Sequence, residues 1–306
     1  MTPPDETQQP IRVIINAGAG TAGGSALAVT IADAFRARGV RADVRAAASG
    51  TALEAIIRDA IAAHPRALVA GGGDGTVSSA ASVLAGTDIA LGVLPLGTLN
   101  HFAKDLRVPL ELDAAVQCIV DGHTALVDVG EVNGRVFINN SSLGLYPDMV
   151  RDRERQQRRL GRGKLNSLLW ASVAAFRRWP FMTVVLDVDG MHRRYVTPLV
   201  FIGNNEYQMQ GFEIGMRERL DSGKLSIYVV RKPGRAPLIW LAVQALVGRL
   251  RQARDFDSAL ASACSIETRH ARLLVSTDGE VSMMSSPLHY RIRARDLRVF
   301  LPPSPV

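Results

Sequence analysis

Ala70-Gly71-Gly72-Gly73-Asp74-Gly75-Thr76 follows directly on the apolar segment Ala67-Leu68-Val69, and the small-residue run Thr76-Val77-Ser78-Ser79-Ala80-Ala81-Ser82-Val83-Leu84-Ala85 leads on from it. This order predicts a buried strand, a glycine loop and a helix. Glycine has no Cβ, so the backbone of such a loop can close on a bulky anion and aim several N–H groups at it. The helix that follows would turn the positive end of its dipole toward the same anion. Asp74 is the odd member, because a carboxylate beside a polyphosphate repels it unless Mg²⁺ or a substrate hydroxyl stands between them. The plainer alternative is a tight strand-to-helix turn with Asp74 as its cap.

Upstream, Ile11-Arg12-Val13-Ile14-Ile15-Asn16 is a β-branched run that ends in Ala17-Gly18-Ala19-Gly20-Thr21-Ala22-Gly23-Gly24, and residues 25–38 then carry apolar side chains at helical spacing. Gly18, Gly20 and Gly23 match the G-x-G-x-x-G spacing of a dinucleotide fold, with Asp43 placed as its ribose acid, but a lone match of this kind is weak. The order repeats downstream: a strand at 42–45, a helix at 51–63, a strand at 67–70, the central loop, the helix from Thr76, and a strand at 89–94. Alternating strands and helices imply a parallel sheet covered on both faces, whose ligands sit beyond the carboxyl ends of the strands. Three glycine-bearing loops therefore open onto one edge. The third is Pro95-Leu96-Gly97-Thr98-Leu99-Asn100-His101-Phe102-Ala103-Lys104, in which Thr98 and Asn100 offer hydrogen bonds at a helix start and Lys104 adds a positive charge. His101 reads as a solvated helix residue, since no carboxylate or second His stands at a useful spacing.

The chain has 306 residues, 47% of them apolar, which suits one large domain or two ordinary ones with a real core. A net charge of +7 favours an anionic partner, and charge alone does not choose among nucleic acid, nucleotide and acidic membrane. Cys118 and Cys264, the two cysteines, lack metal-ligand or redox spacing and read as inert thiols of a reducing cytoplasm. Residues 1–10 lack the basic start and apolar core of a secretory signal and read as a disordered tail. The apolar run at 236–247 carries Pro237 and Gln244 and falls short of the roughly 20 residues a bilayer crossing needs. Gly161-Arg162-Gly163-Lys164-Leu165 lacks the leading glycine spacing and the Ser or Thr of a phosphate-binding P-loop. No G-x-S-x-G nucleophile elbow is present, so serine hydrolysis is unsupported.

Asn16 at a strand end, Gly71-Gly72-Gly73-Asp74-Gly75-Thr76, and Pro95-Leu96-Gly97-Thr98-Leu99-Asn100-x-Phe102-Ala103, in that order, resemble the diacylglycerol kinase catalytic-domain family, which includes bacterial lipid kinases and sphingosine and ceramide kinases. NAD kinases share the Gly-Gly-Asp-Gly-Thr element and a related fold, but the Asn-Glu type motif and second glycine loop expected of them are not found. The resemblance implies an NAD kinase/diacylglycerol kinase-like α/β domain with a parallel sheet, followed by a mostly antiparallel β-sandwich. It implies ATP and Mg²⁺ as cofactors. ATP phosphates would rest on Gly71, Gly72, Gly73, Gly75 and Thr76, with Asn16, Thr98 and Asn100 completing the pocket and Asp74 bearing on the catalytic Mg²⁺.

The pattern changes near residue 126, which divides a nucleotide-binding domain at 11–125 from a second domain at 126–306 whose last strand returns to the first. Val127 to Asn140 holds two alternating runs joined by Asn133-Gly134, a strong hairpin signal. The runs at 182–187 and 194–202 flank Asp189-Gly190 in the same way, and 271–277 leads into Asp278-Gly279. These hairpins predict the sandwich. Between them lies the basic segment 151–164, joined to the apolar stretch 165–176 and closed by Arg177-Arg178-Trp179-Pro180. Such a segment suits the headgroup region of an anionic membrane, and equally a solvated helix packed on the sandwich. Nucleic acid fits poorly, because no aromatics are interleaved among the arginines. The expected partner is a lipid substrate at the inner face of the membrane, met peripherally from the cytoplasm, with a homodimer allowed.

The resemblance continues through Phe201-Ile202-Gly203-Asn204-Asn205-Glu206-Tyr207 to Gly211, similar to the family's strand and loop near its lipid cleft. It reaches Asp278-Gly279-Glu280, where the family's acid in the place of Glu280 acts as general base on the lipid hydroxyl. Two departures stand out. Leu220-Asp221-Ser222-Gly223-Lys224-Leu225 has Ser222 where bacterial members carry the Asp of a structural Mg²⁺ site, which leaves Asp221 and Ser222 as its ligands with one charge fewer. The segment Ala46-Ala47-Ala48-Ser49-Gly50-Thr51 has Ala where the family often places a nucleotide-contacting Thr. These departures motivate a second reading, a nucleotide- or lipid-binding protein without turnover, and NAD kinase activity is a third.

Overall fold

Four strands alternate with helices along the first part of the chain: β1 (Ile11–Asn16), α1 (Thr21–Arg36), β2 (Ala42–Ala47), α2 (Gly50–Ala62), β3 (Ala67–Gly72), α3 (Asp74–Leu84) and β4 (Ala90–Pro95). Two helices follow, α4 (His101–Asp105) and α5 (Leu112–Asp121). The computed structural model describes residues 10–16, 21–47, 50–144, 181–207, 217–230 and 256–303, with backbone alone at 21–23, 50 and 51. The tail at 1–9, the glycine loop at 17–20, Ala48 and Ser49, the basic segment 151–164, the stretch 165–176, the loop to Gly211 and the apolar run 236–247 lie outside the described residues. The chain divides into two compact units, one running up to Val129 and resuming at Ala294, the other Gly130–Arg293.

In the first unit the strands lie in the order β2-β1-β3-β4, all parallel. β3 and β4 are buried at all six positions, as strands covered on both faces must be. β2 and β3 flank β1 on opposite sides, so the crossovers leave β1 in opposite directions and a crevice opens at the carboxyl ends of β1 and β3. Asp43, a ribose acid in the dinucleotide reading, pairs instead with Arg12, its neighbour in register on β1, and with Arg45 at 3.4 Å.

β5 (Thr124–Val132) runs out of this unit, and β16 (Leu288–Phe300) runs back into it, where Val299 pairs in parallel with Leu91. Between them come β6 (Arg135–Phe137), β7 (Asn140–Gly144), β8 (Met182–Val188), β9 (Met191–Thr197), β10 (Leu199–Asn204), β11 (Leu225–Val230), β12 (Phe256–Ala261), β13 (Ala263–Thr268), β14 (Arg272–Thr277) and β15 (Glu280–Ser285). One antiparallel sheet has the order β12-β11-β10-β7-β14-β15. The first half of β16, β13, β8 and β9 form a second antiparallel layer. Leu143, Ile202, Ile227 and Val275 from one layer meet Val184, Leu186, Ile266 and Leu288 from the other in one buried core, which makes the unit a β-sandwich.

The three expected hairpins form. Asn133-Gly134, Asp189-Gly190 and Asp278-Gly279 all hold both residues at positive φ, between 46° and 85°, the two-residue turn whose twist suits flanking strands. The run 194–202 is not one strand. It breaks at Pro198, which has no N–H for a ladder, and the chain passes from β9 in one sheet to β10 in the other.

Candidate active site

Several glycines at the carboxyl edge of the first unit sit where a Cβ would collide with a neighbour. Gly71 lies beside Ile15 in register, and an added Cβ would stand 2.7 Å from the Ile15 Cγ2. Gly72 pairs with Pro95, so β3 and β4 end side by side, with Asn16 ending β1 next to them. At Gly97 an added Cβ would stand 2.4 Å from the Cα of Gly73, which brings the β3–α3 and β4–α4 loops into direct contact. Gly75 differs: nothing lies within 4 Å of the position its Cβ would take, and the residue is exposed. The loops are thus closed against each other and open outward. α3 starts there, with Gly73 as its N-cap, so the N–H groups of its first turn have no acceptor within the helix and favour an anion.

The polar residues of this edge divide into braces and open groups. Asn100, in the left-handed region at φ 52°, is buried, and its side chain works within its own loop. Its Oδ1 accepts from the Gly97 N–H at 3.0 Å, and its Nδ2 donates to the carbonyls of Gly97 at 2.9 Å and Pro95 at 3.3 Å. The Asn100 side chain thus shapes the loop that presents Thr98, which is exposed. Thr76 is buried with its hydroxyl against Gly72, closing the floor of the glycine loop. Asp74 is half-buried at the positive end of α3, and its Oδ1 accepts a long hydrogen bond of 3.4 Å from the Phe102 N–H of α4.

Glu280 belongs to the second unit, as the first residue of β15 just past the Asp278-Gly279 turn. Its Oε2 accepts from Arg135 Nη2 at 2.6 Å. The turn itself is pinned by Asp278, whose carboxylate accepts three backbone N–H groups: Ile138 at 2.8 Å, Asn139 at 2.8 Å and Asn140 at 3.0 Å. The same three-residue segment is gripped on its carbonyl side by Arg217, only 5% exposed, which donates to the Ile138 carbonyl at 2.7 Å and to Asn139 Oδ1 at 2.9 Å, with its guanidinium 5.2 Å from the Tyr207 ring centre. Sequence reading passed over Arg135 and Arg217. The partner of Arg135 lies 145 residues away and those of Arg217 lie 13 to 79 residues away, separations that leave no local pattern.

The turn at 219–224 does not fit a cation. Asp221 Oδ1 accepts from Arg219 Nε at 3.1 Å, and Ser222 donates to Asn205 Oδ1 through both its N–H at 2.8 Å and its hydroxyl at 2.6 Å. Asn205 is buried and in turn donates its N–H to the Lys224 carbonyl at 3.0 Å. A hard cation needs several oxygen lone pairs turned inward. Here the turn's one carboxylate faces a guanidinium and the Ser222 hydroxyl, turned to Asn205, brings no charge, so Asp221 and Ser222 make a poor pair of ligands for a hard cation. Among the described residues no three His, Cys, Asp or Glu gather in one place. Both thiols are buried and free; burial first, then the nearby charge of Asp187, pushes Cys264 up to about 12, and burial likewise raises Cys118.

Two family profiles match this chain in tandem. The diacylglycerol kinase catalytic domain matches residues 10–132, and the YegS C-terminal NAD kinase beta sandwich-like domain matches residues 147–301. The chain belongs to this lipid kinase family. The kinase is 30% identical over 281 residues to a protein of Pseudomonas syringae pv. syringae (strain B728a) named "Probable lipid kinase YegS-like", covering 87% of this chain and 86% of that one. It is 28% identical over 244 residues to the "Diacylglycerol kinase" of Staphylococcus aureus (strain JH9), covering 77% and 74% of the two. A crystal structure of a diacylglycerol kinase from Bacillus anthracis str. Sterne shares the kinase's fold, with a TM-score of 0.70, 21% identity, and 97% and 98% of the chains covered.

Proposed function

We propose that the kinase transfers the γ-phosphoryl group of ATP to the hydroxyl of a lipid alcohol of diacylglycerol type, drawn from an anionic membrane surface. The observation that carries this reading is the contact of Gly97 with Gly73, which fuses two glycine loops at the carboxyl edge of the parallel sheet and leaves the Gly75 face open. Such an edge fits a polyphosphate: backbone N–H groups and the positive end of α3 supply the complementary charge. Gly72, Gly73, Gly75 and Thr98 would hold the phosphates, and Asp74 would face their Mg²⁺. When bound, Mg²⁺ neutralises charge on the phosphate oxygens. Glu280 takes the proton of the acceptor hydroxyl, which is the main chemical help phosphoryl transfer asks of a side chain. Among the described residues no helix is long and apolar enough to cross a membrane.

The experiment incubates the full chain with Mg-ATP and vesicles of a total bacterial lipid extract, and reads the products by mass spectrometry. A lipid that gains one phosphate, and loses that gain with Glu280→Gln and with Asp74→Ala, is the expected outcome. Wild-type protein that phosphorylates no lipid alcohol, or variants that keep the full rate, would overturn the reading.

A further inference from the structure

We infer that Arg135 is a positioning residue for Glu280, a role that rests on the reading of Glu280 as the base that takes the acceptor's proton. The Arg135 Nη2 to Glu280 Oε2 distance of 2.6 Å is short for an ion pair between side chains that are 37% and 55% exposed. An exposed pair of this kind adds little to stability. Orientation is another matter: a glutamate at the head of a strand, with several rotatable bonds, has many ways to point away from a hydroxyl.

The surroundings restrict those ways from two sides. Asp278, two residues before Glu280, fixes the hairpin tip on the N–H groups of residues 138–140. Arg135 projects from β6, three residues before that segment, and fixes the carboxylate itself. Arg217 clamps the carbonyl side of the segment, and Asn204 Nδ2 adds a further donor to the Ile138 carbonyl at 2.9 Å. Backbone and side chain of the base are thus both held by one short stretch, residues 135–140. Arg135 occupies Oε2, so Oε1 is the oxygen we assign to the acceptor's proton.

The test is steady-state kinetics on the full chain, with Mg-ATP and the lipid that gains phosphate from a total bacterial lipid extract. Arg135→Ala is expected to lower kcat by about 20- to 100-fold with KM for ATP and lipid within twofold, since a misplaced group costs rate rather than binding. Arg135→Lys restores part of the loss, because an ammonium keeps the charge but not the planar fork. Where Glu280→Gln leaves a measurable residual rate, the double variant Arg135→Ala/Glu280→Gln is no slower than Glu280→Gln alone, since residues acting as a unit are not additive. Thermal unfolding of Arg135→Ala and Arg135→Lys within about 2 °C of wild type separates the effect from a failure to fold.

The inference is overturned if Glu280→Gln abolishes turnover while Arg135→Ala keeps the wild-type kcat or raises KM alone; the base assignment survives that result. Full activity in Glu280→Gln, or no lipid phosphorylated by wild type, removes the base assignment and the positioning role with it.

Discussion

The carboxyl edge of the first unit and the β14–β15 tip of the second are held by opposite means. The first is built by leaving side chains out: Gly97 lets two loop backbones approach to a distance a Cβ would forbid, and Gly71 and Gly72 leave room for the side chains of Ile15 and Thr76. The second is built by putting charges in: Asp278, Arg135 and Arg217 hold a tip whose backbone alone would be an ordinary hairpin. A cradle for a large anion needs space and N–H groups, which only bare backbone supplies. A base for one hydroxyl needs a single oxygen at a fixed place, which requires partners for its side chain. The two regions should therefore fail differently when altered.

The sharpest way to break the contrast is Gly97→Ala. Its methyl would meet the Gly73 Cα, a backbone atom that cannot step aside, so a loss of about 3 kcal/mol in urea unfolding and no measurable ATP binding by calorimetry are expected. Asp278→Ala strips three N–H groups of a charged acceptor and should cost about 2–3 kcal/mol, with Asp278→Asn recovering part of it. Gly75→Ala sharpens the comparison from the other side. Its methyl meets nothing in the protein, so stability should stay within about 0.5 kcal/mol while ATP affinity falls about tenfold, roughly 1.4 kcal/mol.

The sandwich core gives a pH prediction. A thiol whose pKa rises on folding favours the folded state below its unfolded value of 9.0, and that contribution drains away as pH climbs toward about 12. Native protein should accordingly leave Cys264 unlabelled by a thiol reagent at pH 8, and its urea midpoint should fall above pH 9. The smallest effect is expected from chelation: with Ser222 tied to Asn205, EDTA should move the melting temperature of the nucleotide-free protein by less than about 1 °C. A drop that added Mg²⁺ reverses would show a cation held at that turn after all.

The regions also differ in how far the sequence reveals them. Gly71 to Thr76 and the later loop from Pro95 to Lys104 are contiguous strings whose composition is their function, so the strand ends and their shared edge can be read residue by residue. The hairpin turns at Asn133-Gly134, Asp189-Gly190 and Asp278-Gly279 are equally plain, because positive φ selects these residues. What sequence hides is partnership. Asp278 looks like a turn former and is also a three-fold acceptor; Asn100 looks like a ligand contact and also braces its own loop. Arg217 sits in Met216-Arg217-Glu218-Arg219, which reads as surface, and it is buried beneath Tyr207. The break at Pro198 is different: a proline without an N–H is visible in the sequence, and a count of apolar residues alone runs through it.

β5 and β16 each begin in one unit and end in the other. The glycine-loop unit is therefore assembled from both ends of the polypeptide, and no single cut releases it whole. A fragment stopping after residue 132 would strip β4 of the strand beside it and bare the flank of a ribbon buried at every position. Such a flank recruits other strands, so the severed piece should come out of cells as insoluble material.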